Sequence, residues 1–142
     1  MFERQHGADG ASRLAILDID FHHGNGTQDI FYDRSDVLFV SIHGDPSVSY
    51  PYFSGYAREW GVGAGEGFNL NLPLPKATVM NAFEATLQRA GAAIKRHAPD
   101  ALVISLGVDT FEHDPISHFR LRTPTTCESA RSSRVSTSRR CS

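Results

Sequence analysis

The chain has 142 residues, 40% apolar and 10% aromatic, which suits one modest globular domain. Its net charge of −2 hides an asymmetry: residues 120–142 carry six Arg and one Glu, leaving 8 basic against 15 acidic side chains, a balance of −7, in residues 1–119. An acidic body argues against a nucleic-acid partner and favours a cationic or neutral small ligand. No apolar run approaches the roughly eighteen residues of a membrane span, and the first ten residues lack the apolar core of a signal peptide, so the expected compartment is the cytoplasm. Cys127 and Cys141 show neither zinc-ligand nor disulfide-framework spacing.

Residues 1–12 are polar and glycine-containing. The apolar run from Leu14 leads to Asp20 and reads as a core strand of a parallel sheet. It discharges into Asp18, Asp20, His22 and His23, then into a Gly24-Asn25-Gly26 turn. Residues 27–32 read as a short helix with Thr27 or Asn25 as its cap. Asp36–His43 reads as a second buried strand, joined to the first by a crossover long enough to make them parallel neighbours.

Residues 44–67 form a long loop, rich in aromatic residues and glycine, whose aromatics favour an ordered wall. Phe68–Leu74 alternates apolar and polar residues as a short strand does. Thr78–Arg96 has helical periodicity, with Val79, Phe83, Leu87, Ala90, Ala93 and Ile94 as its apolar stripe, and Pro99 ends the segment. Ala101–Leu106 reads as a third buried strand, running into Gly107-Val108-Asp109-Thr110. In a parallel sheet these strand ends lie on one edge, which brings Asp20 and His22, Ser41 and His43, and Asp109 together.

Those residue types suit a divalent metal. Asp20 and His22 supply two ligands, Asp109 a third, and Gly107 leaves room for close approach. A catalytic zinc needs about three protein ligands and an open position. For a lone Asp or His the plainer reading, a turn cap or a satisfied core histidine, would stand. Two Asp and two His within six residues after a buried strand favour the metal. The other histidines carry plainer expectations: His43 hydrogen-bonded in the core, His97 at a helix C-terminus, and His113 and His118 in the loop after Asp109, where His113 could line the site mouth.

From Leu17 to Gln28 the sequence LDIDFHHGNGTQ resembles the signature of the histone deacetylase superfamily, in particular its acetylpolyamine amidohydrolase and class II-like branch. Val40–His43, Leu106–Thr110 with Asp114-Pro115, and the Ser49–Phe53 and Gly61–Gly65 stretches follow in the family's order. The resemblance runs from about residue 10 to residue 121. It implies an α/β, parallel-sheet, three-layer arginase/deacetylase-like fold, present in part. It implies a zinc-dependent amidohydrolase acting on acetylated lysine or acetylpolyamine amines, with homo-oligomers among full-length relatives.

The resemblance also assigns residues. Asp20, His22 and Asp109 match the zinc ligands, and Asp18 a buried carboxylate behind them. Asp18, Asp20, His22, Ser41 and Ile42 match a structural potassium site, and Phe31, Arg34 and Val37 a second cation site. Tyr50 falls near an aromatic of the acyl-lysine tunnel. The family's catalytic histidine pair and its Gly-Gly-Tyr tyrosine have no counterpart here, so the chain alone is expected to hold metal without turnover. Two alternatives stand beside this reading: a non-catalytic metal-binding module, and an arginase-like two-manganese hydrolase, which would need further carboxylates and histidines.

The expected division is a polar segment at 1–12, a partial deacetylase domain at 13–121 and an aberrant tail at 122–142. The tail is Arg, Ser and Thr with almost no apolar residue, the composition of a disordered segment. A one-base shift of reading frame over residues 123–142 would permit an amphipathic helix and the start of a strand. That is what an α/β domain should do next, and it is the favoured reading of the tail.

Overall fold

A computed structural model describes residues 12–122. The expected tail and most of the N-terminal segment lie outside the described residues. Four strands, β1 (Leu14–Asp18), β2 (Val37–Gly44), β3 (Asn69–Leu74) and β4 (Ala101–Ser105), form one sheet in the order β3-β2-β1-β4. All three pairings are parallel. The register sets Asp18 beside Ser41 on one side and beside Ser105 on the other, so β1 and β4 end level and β2 runs on to Gly44.

Alternation along β2 separates two layers. Leu38, Val40 and Ile42 join Phe83, Ala90 and Ala93 of helix α2 (Met80–His97) in the main core. Phe39, Ser41 and His43 point the other way, toward helix α1 (Asn25–Phe31) and the 44–67 loop; the Phe39 ring lies 6.2 Å from that of His23. Every residue of β2 is buried, as expected for a strand flanked on both sides and covered on both faces. This is the expected α/β layering with a parallel sheet.

Several boundaries differ from expectation. β1 ends at Asp18, so Asp20 and His22 stand in the turn beyond it. α1 begins at Asn25 with Gly24 at its cap position and no capping side chain, so neither Thr27 nor Asn25 caps it. Val79 is the N-cap residue of α2 and is half exposed; the polar Thr86 is buried instead, its hydroxyl donating to the Ala82 carbonyl at 2.9 Å.

The largest correction concerns β4, expected to be buried. Leu102, Val103 and Ile104 are 47%, 52% and 49% exposed. β4 is the edge strand, paired only with β1, and among the described residues nothing covers its faces. β3 departs from simple alternation because its polar positions, Asn69 and Asn71, are buried and hydrogen-bonded. After β4 the chain returns to the core: Phe119 and Leu121 are buried, and Arg120 N–H donates to the Thr78 carbonyl at 2.9 Å.

Candidate metal centre

The turn after β1 builds itself from its own carboxylates. Asp18 Oδ1 accepts the Asp20 N–H at 3.1 Å, and Asp20 Oδ1 accepts the His22 N–H at 2.7 Å. These Asx-type bonds fold the backbone so that every second side chain faces the sheet edge. Asp109, carried in by β4, accepts the Phe21 N–H at 3.1 Å through Oδ1 and fixes this turn from outside. Two glycines permit the crowding. A Cβ on Gly24 would lie 2.5 Å from Asp18 Oδ2, and one on Gly107 would strike the Asp20 carboxylate.

Asp20, His22 and Asp109 converge. His22 Nδ1 is 2.8 Å from Asp109 Oδ2 and 3.5 Å from Asp20 Oδ1. One donor atom from each of the three lies within 4.8 Å of the others. Ligands at about 2.0–2.2 Å in a tetrahedral zinc site stand about 3.4 Å apart. The three donors fit that geometry with small side-chain adjustments, and two carboxylates with one imidazole suit such an ion. The three side chains are only partly buried, which leaves the cluster open on one side.

Asp18 lies behind the cluster and is 4% exposed. Burial pushes its carboxyl above the ordinary range, and the neighbouring charges of Asp20 and Asp109 push the same way. Tyr50 stands at the open side, its ring 6.2 Å from that of His22, with most of its surface in solvent. Ser41 and Ile42 are fully buried at the end of β2, Ser41 in register with Asp18. Phe31, Arg34 and Val37 lie elsewhere, where α1 ends and β2 begins. His113 is mostly exposed and pairs loosely with Glu112, so no contact places it at the cluster. His97 Nε2 donates to the Leu14 carbonyl at 3.0 Å. Two cavities of about 340 and 400 Å³ share Glu112 and Arg120 near the start of α2, and none of the three cluster residues lines either.

A second polar cluster adjoins the first and was not foreseen as a unit. Glu59 Oε2 accepts from Gln28 Nε2 at 2.8 Å, Gly55 N at 2.9 Å and Ser54 Oγ at 3.3 Å. Gln28 Oε1 accepts from Asn71 at 2.8 Å and Asn69 at 3.1 Å. His43 Nε2 donates to the Gly55 carbonyl at 2.8 Å, which leaves Nδ1 to accept from the Ser41 hydroxyl, also at 2.8 Å. Burial, with a smaller contribution from His23 beside it, lowers the His43 imidazole to a pKa of about 4. His23 is likewise depressed by burial; its Nε2 faces Asn71 Oδ1 at 3.2 Å, while Nδ1 has no partner among the described residues. The sequence signal for this cluster was Asn69 and Asn71 at strand spacing between apolar residues.

The parallel sheet and the carboxylate–imidazole cluster on its carboxyl edge define an α/β protein of the strand-end ligand type. The histone deacetylase domain family matches residues 3–142, and the chain belongs to that family. It is 64% identical over 115 residues to acetylpolyamine amidohydrolase 1 of Pseudomonas aeruginosa, an alignment covering 81% of this chain and 33% of that protein. A crystal structure of the acetylpolyamine aminohydrolase from Burkholderia pseudomallei superposes with a TM-score of 0.80 at 48% identity, covering 81% of this chain and 34% of that one. The histone deacetylase homologue from Aquifex aeolicus gives 0.83 at 33% identity, over 86% and 33%. The chain thus spans about a third of the length of the relatives it matches. Among the described residues, no helix is long and apolar enough to cross a membrane.

Proposed function

We propose that this chain is the metal-binding part of a zinc-dependent amidohydrolase that removes acetyl groups from acetylated polyamines or lysines. The observation that carries the reading is the convergence of Asp20, His22 and Asp109 within 4.8 Å at the sheet's carboxyl edge. Zinc held by these three would polarise an amide carbonyl and lower the pKa of a water in the open position toward about 7. The chain's own groups hold and orient: Asp109 fixes the turn through the Phe21 N–H, Asp18 fixes it through the Asp20 N–H, and Tyr50 walls the open side. Asp18 and Ser41, in register at adjacent strand ends, support a monovalent cation beside the zinc. An acidic body and relatives named for acetylpolyamines favour a cationic amine substrate over a neutral amide.

We further propose that the chain alone binds metal without hydrolysing amides. Proton transfer needs a group within reach of the reacting atoms. His23 and His43 are buried in the neighbouring cluster, with His43 committed at both ring nitrogens. The two-manganese alternative would need a second ligand set, and among the described residues one such group is found.

Elemental analysis after dialysis tests the site: one zinc per chain is expected, and little in Asp109→Ala. Absence of stoichiometric zinc, or zinc indifferent to that substitution, would remove the reading. An acetyl-lysine and acetylpolyamine hydrolysis assay should give no turnover above the metal-free control, and clear turnover would contradict the non-catalytic part.

A further inference from the structure

The cluster around Glu59 ties the 44–67 loop to three elements of the sheet layer, and the loop carries Tyr50. The ties meet at Gly55. Its N–H donates to Glu59, its carbonyl accepts from His43, and its φ of +102° with no Cβ lets it lie against both histidines; a Cβ there would be 2.8 Å from each ring. From Gly55 the connection runs back to the site. The Tyr56 hydroxyl donates to the Tyr52 carbonyl at 2.8 Å, and Tyr52 N–H donates to the Ser49 carbonyl at 3.1 Å. Tyr52 stands edge-on to Tyr50 at 6.4 Å, and Tyr50 faces His22. Tyr52 itself is held at a φ of +66°, a conformation a tyrosine adopts only when its surroundings impose it.

Glu59 touches none of the cluster residues that would hold the metal. Its partners are Gln28 of α1, Ser54 and Gly55 of the loop and, at 3.5 Å, Asn71 of β3. A single carboxylate oxygen thus gathers α1, β3 and the loop. No other group among these partners accepts the Gly55 N–H, so removing the carboxylate loosens the loop at Gly55, which His43, Asn69 and Asn71 still hold through the Gly55, Glu59 and Tyr56 carbonyls, and leaves the turn after β1 intact.

We propose that Glu59 is the positioning residue that sets the Tyr50 wall over the Asp20–His22–Asp109 cluster, and so governs affinity for the acetylated amine rather than for the metal. This rests on the amidohydrolase reading for its ligand, though not for the loop itself. The pairing of Glu59 with Gln28 supplies a control. Glu59→Gln keeps one side-chain oxygen, and that amide oxygen, set where Oε2 lies, accepts from Gly55 N and Gln28 Nε2 as the carboxylate does.

The experiment uses the full chain loaded with zinc. Three quantities are read: zinc affinity by chelator competition, affinity for an N-acetylated diamine by calorimetry, and amide hydrogen exchange over residues 49–56. Glu59→Ala should weaken diamine binding about tenfold, leave zinc affinity within about twofold and speed exchange over 49–56. Glu59→Gln should keep diamine affinity and protection near those of the parent. A purely structural role would lower zinc and diamine affinity in parallel, and that outcome overturns the proposal. Unchanged diamine affinity or unchanged exchange in Glu59→Ala also overturns it. If the parent binds zinc but no acetylated diamine, the substrate reading fails, and the exchange data alone decide whether Glu59 positions the loop. If Glu59→Ala does not fold, Glu59→Leu, which fills the space without an acceptor, takes its place with the same expected directions.

Discussion

Two polar clusters share the carboxyl edge of one sheet and are built oppositely. In the first, Asp20, His22 and Asp109 point donor atoms at one another from side chains that are 35%, 27% and 18% exposed. In the second, Gln28, His23, His43 and Asn71 are each 5% exposed or less, and their hydrogen bonds run from one to the next. Apart from His23 Nδ1 and Asn69 Oδ1, which have no partner among the described residues, these buried groups are spent on one another, and such a closed network serves to fix backbone. Three charged or chargeable groups gathered at an opening, two of them of like sign, are stable together when a cation sits between them. The contrast separates residues that hold a ligand from residues that hold the holders.

The largest expected effect breaks the open cluster. Structural zinc in small peptides is bound by about 10–16 kcal/mol over four ligands, or about 2.5–4 kcal/mol per ligand. Asp109→Ala should therefore lower zinc affinity about 10²–10³-fold, measured by chelator competition. Its second loss, the Phe21 N–H bond, affects the turn and leaves the closed cluster untouched. Far-UV circular dichroism unchanged from the parent would show that the cost fell on the metal.

The next effect belongs to the closed cluster and appears as pH dependence. His43 is neutral when folded, with a pKa of about 4 caused first by burial, against 6.5 for the free side chain. Between these values the unfolded chain binds more protons than the folded one, so stability rises with pH across the window. It is complete above about 6.5 and is lost as pH falls toward 4, a span worth about 3 kcal/mol. Urea unfolding at stepped pH should show that slope. His43→Gln keeps an amide donor for the Gly55 carbonyl and should flatten it. An equal slope in the variant would place the titration elsewhere.

The difference between the clusters also explains what could be read from the sequence. The open cluster was legible because its chemistry is local: two Asp and two His in six residues, with Asp109 at the end of another apolar run. The parallel sheet was legible for the same reason, since β1, β2 and β4 are short apolar runs and β3 alternates Asn with Leu. The closed cluster was not, because Gln28, Glu59 and Asn71 are single polar residues far apart in sequence, and the packing of α1 and the 44–67 loop against β3 brings them together. The exposure of β4 was hidden too. Its composition is that of a buried strand, and its position at the sheet edge is a property of the whole topology. The potassium ligands, Tyr50 and the division at residues 12 and 121 came from resemblance and composition, and they stand as proposals.

Gly55→Ala tests the hub of the closed cluster with a smaller effect. An L side chain at a φ of +102°, with its Cβ against the His23 and His43 rings, should cost about 2 kcal/mol of stability. Zinc affinity should stay within about twofold, since neither contacted ring belongs to the three donors. A parallel fall in zinc affinity would show that the two clusters are one mechanical unit and would erase the distinction between them.

Ser54→Ala sets the lower bound. The Ser54 hydroxyl lies 3.1 Å from Gln28 Nε2 and 3.3 Å from Glu59 Oε2, yet both of those atoms also bond each other at 2.8 Å. Deleting the hydroxyl leaves Gln28 Nε2 its shorter bond to Glu59, and the cost should be about 0.5–1 kcal/mol in urea unfolding. Leaving a buried partner unsatisfied would instead cost about 1–3 kcal/mol. A loss at the upper end of that range would mean that Ser54, rather than Glu59, is what Gln28 depends on. The direction of the bonds argues for Glu59: a carboxylate oxygen can accept from several donors at once, whereas the hydroxyl has one proton to give.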